Sequence, residues 1–223
     1  MVRRWLFSHS LSIVMLGAFA VFVTGQAIAG WHVRNEELVQ AGVAADSFRS
    51  YLGSGHFGEA LLENWESEFL QMGAYVLLTA YLVQRGSPES KSLDGKDRPG
   101  DDPANATEDS PSWSHRRGWR HLVYRNSLAL VLLAFFVLSF VGHLIAGTAA
   151  YNEEQKLQTG APAIGVWQFA RTADFWFQSM QNWQSEFFSV GALVLLSIVL
   201  RQHGSPQSKP VTAAHDQTGD EPE

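Results

Sequence analysis

Apolar and polar residues alternate in long blocks along this chain. Four apolar blocks run over about residues 5–29, 65–83, 122–147 and 183–200. None shows the period of two that marks a strand, so each reads as a helix. A membrane core about 30 Å thick needs about 20 helical residues. The first and third blocks reach that length. The second and fourth are free of charged residues only over 69–83 and 187–200, and 15 residues rise only about 22 Å. These helices must recruit polar residues upstream, thin the bilayer or tilt little. Recruitment draws Trp65 and Glu68 into the second span, and Trp183 and Glu186 into the fourth.

The blocks come in two copies. Residues 64–91, NWESEFLQMGAYVLLTAYLVQRGSPESK, align without a gap on 182–209, NWQSEFFSVGALVLLSIVLRQHGSPQSK, with 17 of 28 positions identical. Upstream, GQAIAGWHVRNEE (25–37) aligns with GHLIAGTAAYNEE (142–154), with 7 of 13 identical. The offset is 117 residues there and 118 in the later stretch, so one residue is gained in between. The fold class expected is an all-α membrane protein with four transmembrane helices, built as two tandem helical-hairpin repeats. Residues 1–91 and 115–209 form the repeats. A linker over 92–114 and an acidic tail over 210–223 are too polar to bury a core and are expected to be disordered.

The first block also resembles a signal peptide. Arg3 and Arg4 precede an apolar run, and AIAG offers a cleavage site after Ala29. Recurrence of the same ending, IAG, in mid-chain favours an uncleaved helix. Of 16 Lys and Arg, 12 fall on the N-terminus, the central segment (which includes Lys96) and the C-terminal tail. The positive-inside rule places that side, with both termini, in the cytoplasm. The basic stretch HRRGWRHLVYR (115–125) has two equal explanations: topology determination and anchoring at anionic headgroups.

Composition narrows the chemistry. No Cys is present, which excludes disulfides and thiolate sites, and the net charge of −6 argues against nucleic acid as a partner. No hydrolase elbow, phosphate loop or dinucleotide fingerprint occurs, so no enzyme activity and no cofactor are expected. GSGHFG (53–58) reads as a turn. Both GSP-x-SK segments read as helix stops, with Gly86 and Gly204 as left-handed caps. NEE reads as a solvated helix start or loop. No spacing typical of a metal site occurs, and no metal is assigned.

The candidate site lies on the second and fourth helices. Asn64, Glu68, Gln71, Tyr75 and Thr79 fall within about an 80° stripe. Their counterparts are Asn182, Glu186, Ser189, Leu193 and Ser197. Gly73 and Gly191 lie opposite and would admit a neighbouring helix. Glu66 becomes Gln184 in the second copy, whereas Glu68 keeps its carboxylate as Glu186. An intramembrane carboxylate is a functional-site hypothesis by default. The competing reading makes each Glu a cap at the positive end of its helix. His143 and its counterpart Gln26 supply nearby polar groups. The two NW-x-SEF…GSP-x-SK units resemble an uncharacterised bacterial family of integral-membrane proteins. That resemblance implies a multi-span helical fold in a bacterial inner membrane and carries no activity. The functional expectation is a small cation or proton transporter or channel-like protein, homo-oligomeric in the lipid bilayer. The alternative is a non-transporting structural or interaction protein that recruits partners through its loops.

Overall fold

A computed structural model of the chain describes residues 2–95 and 97–219. Lys96 and the tail acids Asp220, Glu221 and Glu223 lie outside the described residues. Eight α-helices form in order: α1 (Val2–Ser8), α2 (Ser10–Gln40), α3 (Phe48–Leu52), α4 (Gly55–Tyr81), α5 (Trp119–Arg125), α6 (Ser127–Gln158), α7 (Val166–Phe169) and α8 (Ala173–Val199). The described residues contain no strand. Three of these helices, α2, α6 and α8, are long and apolar enough to cross a membrane. Helix α4 falls short of that measure because Glu59, Glu63, Glu66 and Glu68 crowd its first half. At about 1.5 Å per residue, the 27 residues of α4 and of α8 each extend about 40 Å.

The chain divides into two compact units. The first comprises residues up to Leu61 together with Gly142–Thr172. It is organised by one device used twice. The Asn of each NEE motif lies in the last turns of a long helix and clamps the returning backbone. Asn35 Nδ2 donates to the Asp46 carbonyl at 3.1 Å, and the Asp46 N–H donates to Asn35 Oδ1 at 2.7 Å. Asn152 does the same with Ile164, at 2.9 and 2.8 Å. The clamps span 11 and 12 residues, so the residue gained by the second copy lies inside the clamped loop. NEE is therefore neither a helix start nor a loop but the end of a helix.

Beyond each clamp a short helix delivers an aromatic ring to the glycine of IAG. Tyr51, in α3, is buried, and a Cβ at Gly30 would collide with its hydroxyl. Phe169, in α7, is fully buried, and a Cβ at Gly147 would meet its ring at 2.9 Å. The AIAG segment, which resembles a cleavage site, here runs unbroken inside α2 and seats a tyrosine. The Trp31 indole adds a hydrogen bond to the Asp46 carbonyl at 2.7 Å. GSGHFG is only partly a turn. Gly53 ends α3, and Gly55 opens α4 against the α6 backbone. A Cβ at Gly55 would lie 2.6 Å from the Ala150 nitrogen and 2.8 Å from the Ala146 carbonyl oxygen.

The second unit comprises Leu62–Val141 and the chain from Ala173 onward. Aromatic residues of α6 pack in two directions. Phe135 meets Phe69 of α4 at 5.1 Å between ring centroids, while Phe136 meets Trp183 at 6.2 Å and Phe140 meets Phe175 at 5.6 Å on α8. Gly73 provides the close contact expected of it: a methyl added there would lie 3.2 Å from Leu133 Cδ2. Gly191 does not, and its surroundings are open.

Neither GSP-x-SK glycine caps a helix. Helices α4 and α8 end at Tyr81 and Val199, and each glycine sits five residues later at the third position of a tight turn. Ser87 N–H donates to Gln84 O at 3.0 Å, and Ser205 N–H to Gln202 O at 3.1 Å. Gly86 and Gly204 take φ of +83° and +80°, the left-handed region such turns require. The second serine of each motif closes the loop: Ser90 Oγ donates to Gln84 O, and Ser208 Oγ accepts from Gln202 N–H. The turns differ in what covers them. The Gly86 N–H donates to Thr218 Oγ1 at 2.8 Å, and the Gly219 N–H donates to Ser87 O at 2.9 Å. Lys209 is buried and donates to the carbonyls of Ala214, His215 and Gln217. Burial, then the Arg201 charge, lowers its pKa. The tail thus has partners up to Gly219 that its composition does not advertise.

Replacing Gly55 by Ala should destabilise the fold by about 1–3 kcal/mol, because backbone atoms of α6 cannot swing aside as a side chain can. Gly25→Ala is the control: nothing lies within 4 Å of a Cβ there, and helix propensity alone should make it neutral or stabilising by up to about 1 kcal/mol. Denaturation of both variants in the same detergent checks the contrast.

Candidate functional site

Glu68 lies thirteen residues beyond Gly55, the first residue of α4, and Glu186 lies thirteen beyond Ala173, the first residue of α8. Each is about 20 Å from its helix start. The helix dipole acts within the first turn, so neither carboxylate is a cap. The cap reading fails because the helices begin well upstream of NW-x-SEF. Glu68 is exposed and Glu186 is half-buried. The two carboxylates are close enough to interact electrostatically.

The polar stripe around them is not uniformly covered. On α4, Asn64 is exposed and Gln71 is buried. The Thr79 hydroxyl donates to the Tyr75 carbonyl at 2.9 Å, while the Tyr75 hydroxyl donates to Glu89. On α8, Asn182 is half-buried, Ser189 is exposed and donates to the Glu186 carbonyl at 2.8 Å, and Ser197 is buried and donates to the Val194 carbonyl at 3.0 Å. Leu193 is exposed. These serines and Thr79 are satisfied within their own helices.

The fully buried carboxylate is Glu66, not Glu68. The Trp183 indole N–H donates to Glu66 Oε1 at 2.8 Å. Gln184, the counterpart of Glu66, is exposed and donates to the Gln181 carbonyl at 3.1 Å. The buried member of the pair is therefore the carboxyl group and the exposed one the amide. Comparison of the repeats passes over Glu66 because it asks which charge recurs, whereas burial here is not shared by the copies. One turn before Trp183, Ser179 is buried, and its Oγ has no hydrogen-bond partner among the described residues.

In the first unit, Gln26 Nε2 donates to the Ala60 carbonyl at 3.2 Å, and His143 is fully buried. The same unit also holds a charged cluster that the sequence does not single out. Arg34 is buried at 4% exposure. Its guanidinium pairs with Glu37 at 3.3 Å and with Glu153. His56, the second residue of α4, approaches Glu153 at 3.8 Å. Burial pushes the His56 pKa down, reinforced by the Arg34 charge and opposed by Glu153, Glu37 and Glu154. The only hint in the sequence is the recurrence of NEE, which supplies both carboxylates from different places in the motif: Glu37 is its last residue, and Glu153 is the counterpart of Glu36. Among the described residues no group of three or more His, Cys, Asp or Glu could hold a metal ion.

Residues 2–220 match a family described as a domain of unknown function, DUF6766, and the chain belongs to that family. No curated protein matches the chain. No solved structure matches it.

Trp183→Phe keeps the packing but removes the indole donor from a buried carboxyl group. It should cost about 1–3 kcal/mol, read as a lower denaturation midpoint in detergent. The His56 shift gives a signed pH effect. Its folded pKa lies below the ordinary 6.5, so between those values the unfolded chain binds the proton more readily. The contribution is fully present above 6.5 and is lost as pH falls through the lower folded value. Wild type should therefore lose more thermal stability between about pH 7 and 5.5 than His56→Gln, and parallel melts across that window check it.

Proposed function

We propose that this chain is an integral membrane protein of four spans, arranged as two tandem helical hairpins, that carries a proton or small cation by way of Glu68 and Glu186. The observation that supports this most is the placement of the two carboxylates. Each stands in the middle of a 27-residue helix, at the head of its apolar half, within electrostatic reach of the other. A carboxylate that caps nothing and costs free energy to desolvate needs another reason to be there. A nearby second carboxylate offers oxygen ligands for a hard cation or a shared proton.

In this reading α4 is the fourth span, its short apolar half matched to the bilayer by local thinning. The duplication accounts for the paired Asn clamps, paired aromatic seats and paired GSP turns. Two hairpins of like orientation put both termini on the cytoplasmic side of a bacterial inner membrane, where the basic residues concentrate. Four helices wall off little space, so the conducting form is a homo-oligomer with lipid, and not nucleic acid, as its surroundings. No catalytic constellation or cofactor enters this mechanism.

One observation favours the non-transporting alternative. An open cavity of about 360 Å³ is formed by residues 202–212, at the second GSP turn and not beside the carboxylates. A loop-borne interaction surface would suit that placement.

Flux in proteoliposomes separates the two. Glu68→Gln combined with Glu186→Gln should lower proton or monovalent-cation flux at least about ten-fold, the scale of losing one charged contact. Unchanged flux in the double variant contradicts the carboxylate mechanism. Absence of flux for every cation in wild type favours the interaction protein.

A further inference from the structure

The basic segment before α6 is used by none of the chemistry above. Gly118, at φ +68°, opens α5, and Asn126 closes it by donating to the Leu122 carbonyl at 2.7 Å. Helix α5 is thus a separate element and not the first turns of α6. Trp119, Leu122 and Val123 share one side of it by their spacing and are all exposed, Trp119 at 69%. Arg116, Arg117, Arg120 and Arg125 are exposed as well. The sequence holds no Asp or Glu between Asp109 and Glu153. Among the described residues, Arg116, Arg117 and Arg120 form no ion pair, while Arg125 exerts a charge effect on Asp97. The Arg120 guanidinium lies 5.6 Å from the Trp119 ring centroid.

We propose that residues 113–125 form a binding surface for the phosphate groups of anionic lipids. Unpaired guanidinium groups supply charge and forked donors for a phosphodiester. The exposed apolar side of α5, with Trp113 and Trp119, suits the acyl boundary just beneath. The surface adjoins the start of α6, the most apolar of the long helices. Positive-inside topology alone needs only the charges. It does not call for a separate helix with an exposed Trp, Leu and Val on one side. RNA offers the same phosphate chemistry, but a chain of net charge −6 with an apolar stripe between its arginines is poorly suited to it. The inference rests on the membrane location of α6 and not on the carboxylate pair.

The test uses the full chain in nanodiscs of phosphatidylcholine with added phosphatidylglycerol, and native mass spectrometry of the lipids it retains. Wild type should retain phosphatidylglycerol selectively. Each arginine lost should weaken retention about five-fold. The triple variant Arg116→Gln, Arg117→Gln, Arg120→Gln should then fall about a hundred-fold, while the corresponding Lys triple keeps most of the selectivity. Equal retention by wild type and the Gln triple overturns the proposal. Should the Gln triple fail to fold, wild type alone decides: about 0.5 M salt should strip the anionic lipid, and indifference to salt overturns the assignment. Tighter binding of an RNA oligonucleotide than of the anionic nanodisc overturns it too. The Glu68→Gln, Glu186→Gln variant should retain lipid as wild type does, so failure of the transport reading leaves this result intact.

Discussion

The constraint on which the rest depends is a mismatch between helix and apolar stretch. Helices α4 and α8 are each 27 residues long, yet only their second halves are apolar. A polar half-helix of about 20 Å cannot be left to lipid, and it must be covered by protein or by water. Coverage is what the first unit supplies for the start of α4: the Gly55 approach to α6, the Gln26 bond to the Ala60 carbonyl and the His56 contact to Glu153. The same mismatch puts Glu68 and Glu186 at the junction of the two halves. A longer apolar run would have left them in a loop, and a shorter polar run would have made them caps.

Small residues make this coverage possible. Gly30 and Gly147 each clear a space that a ring then fills, and the ring is held by a short helix whose entry is fixed by an Asn clamp. The order of parts is the same in both copies, and the one-residue gain in the second is absorbed within the clamped loop. The copies differ where they meet other parts of the second unit. Glu66 is buried under Trp183 while Gln184 is exposed; Gly73 is packed while Gly191 is open; the first GSP turn is covered by the tail while the second borders a cavity. The shared local geometry falls where the two stretches carry the same residues, and the divergence falls where each packs in its own surroundings.

Much of the helical architecture is legible in the sequence, since three of the four apolar blocks form helices able to cross a membrane and the remaining block is part of α4. Helix starts are not. The stretch from Gly55 to Asn64 carries two glycines and two glutamates and signals a turn, but contact with the α6 backbone, which no local pattern encodes, makes it helical. The GSP glycines are left-handed as their sequence suggests, yet they cap nothing, because residues 82–85 already leave the helix. IAG offers a protease site to the eye and a seat for an aromatic ring in the fold. Glu66 and Arg34 escape the sequence for a common reason: their importance comes from residues more than a hundred positions away, Trp183 and Glu153.

The central proposal is that the two mid-helix carboxylates of α4 and α8 lie within electrostatic reach of each other and act as a pair. The chain has no native Cys, so Glu68→Cys and Glu186→Cys introduce the only thiols for spin labelling. The account predicts dipolar broadening in the doubly labelled protein, in lipid, that the sum of the two singly labelled spectra lacks. A double-label spectrum that equals that sum would contradict it.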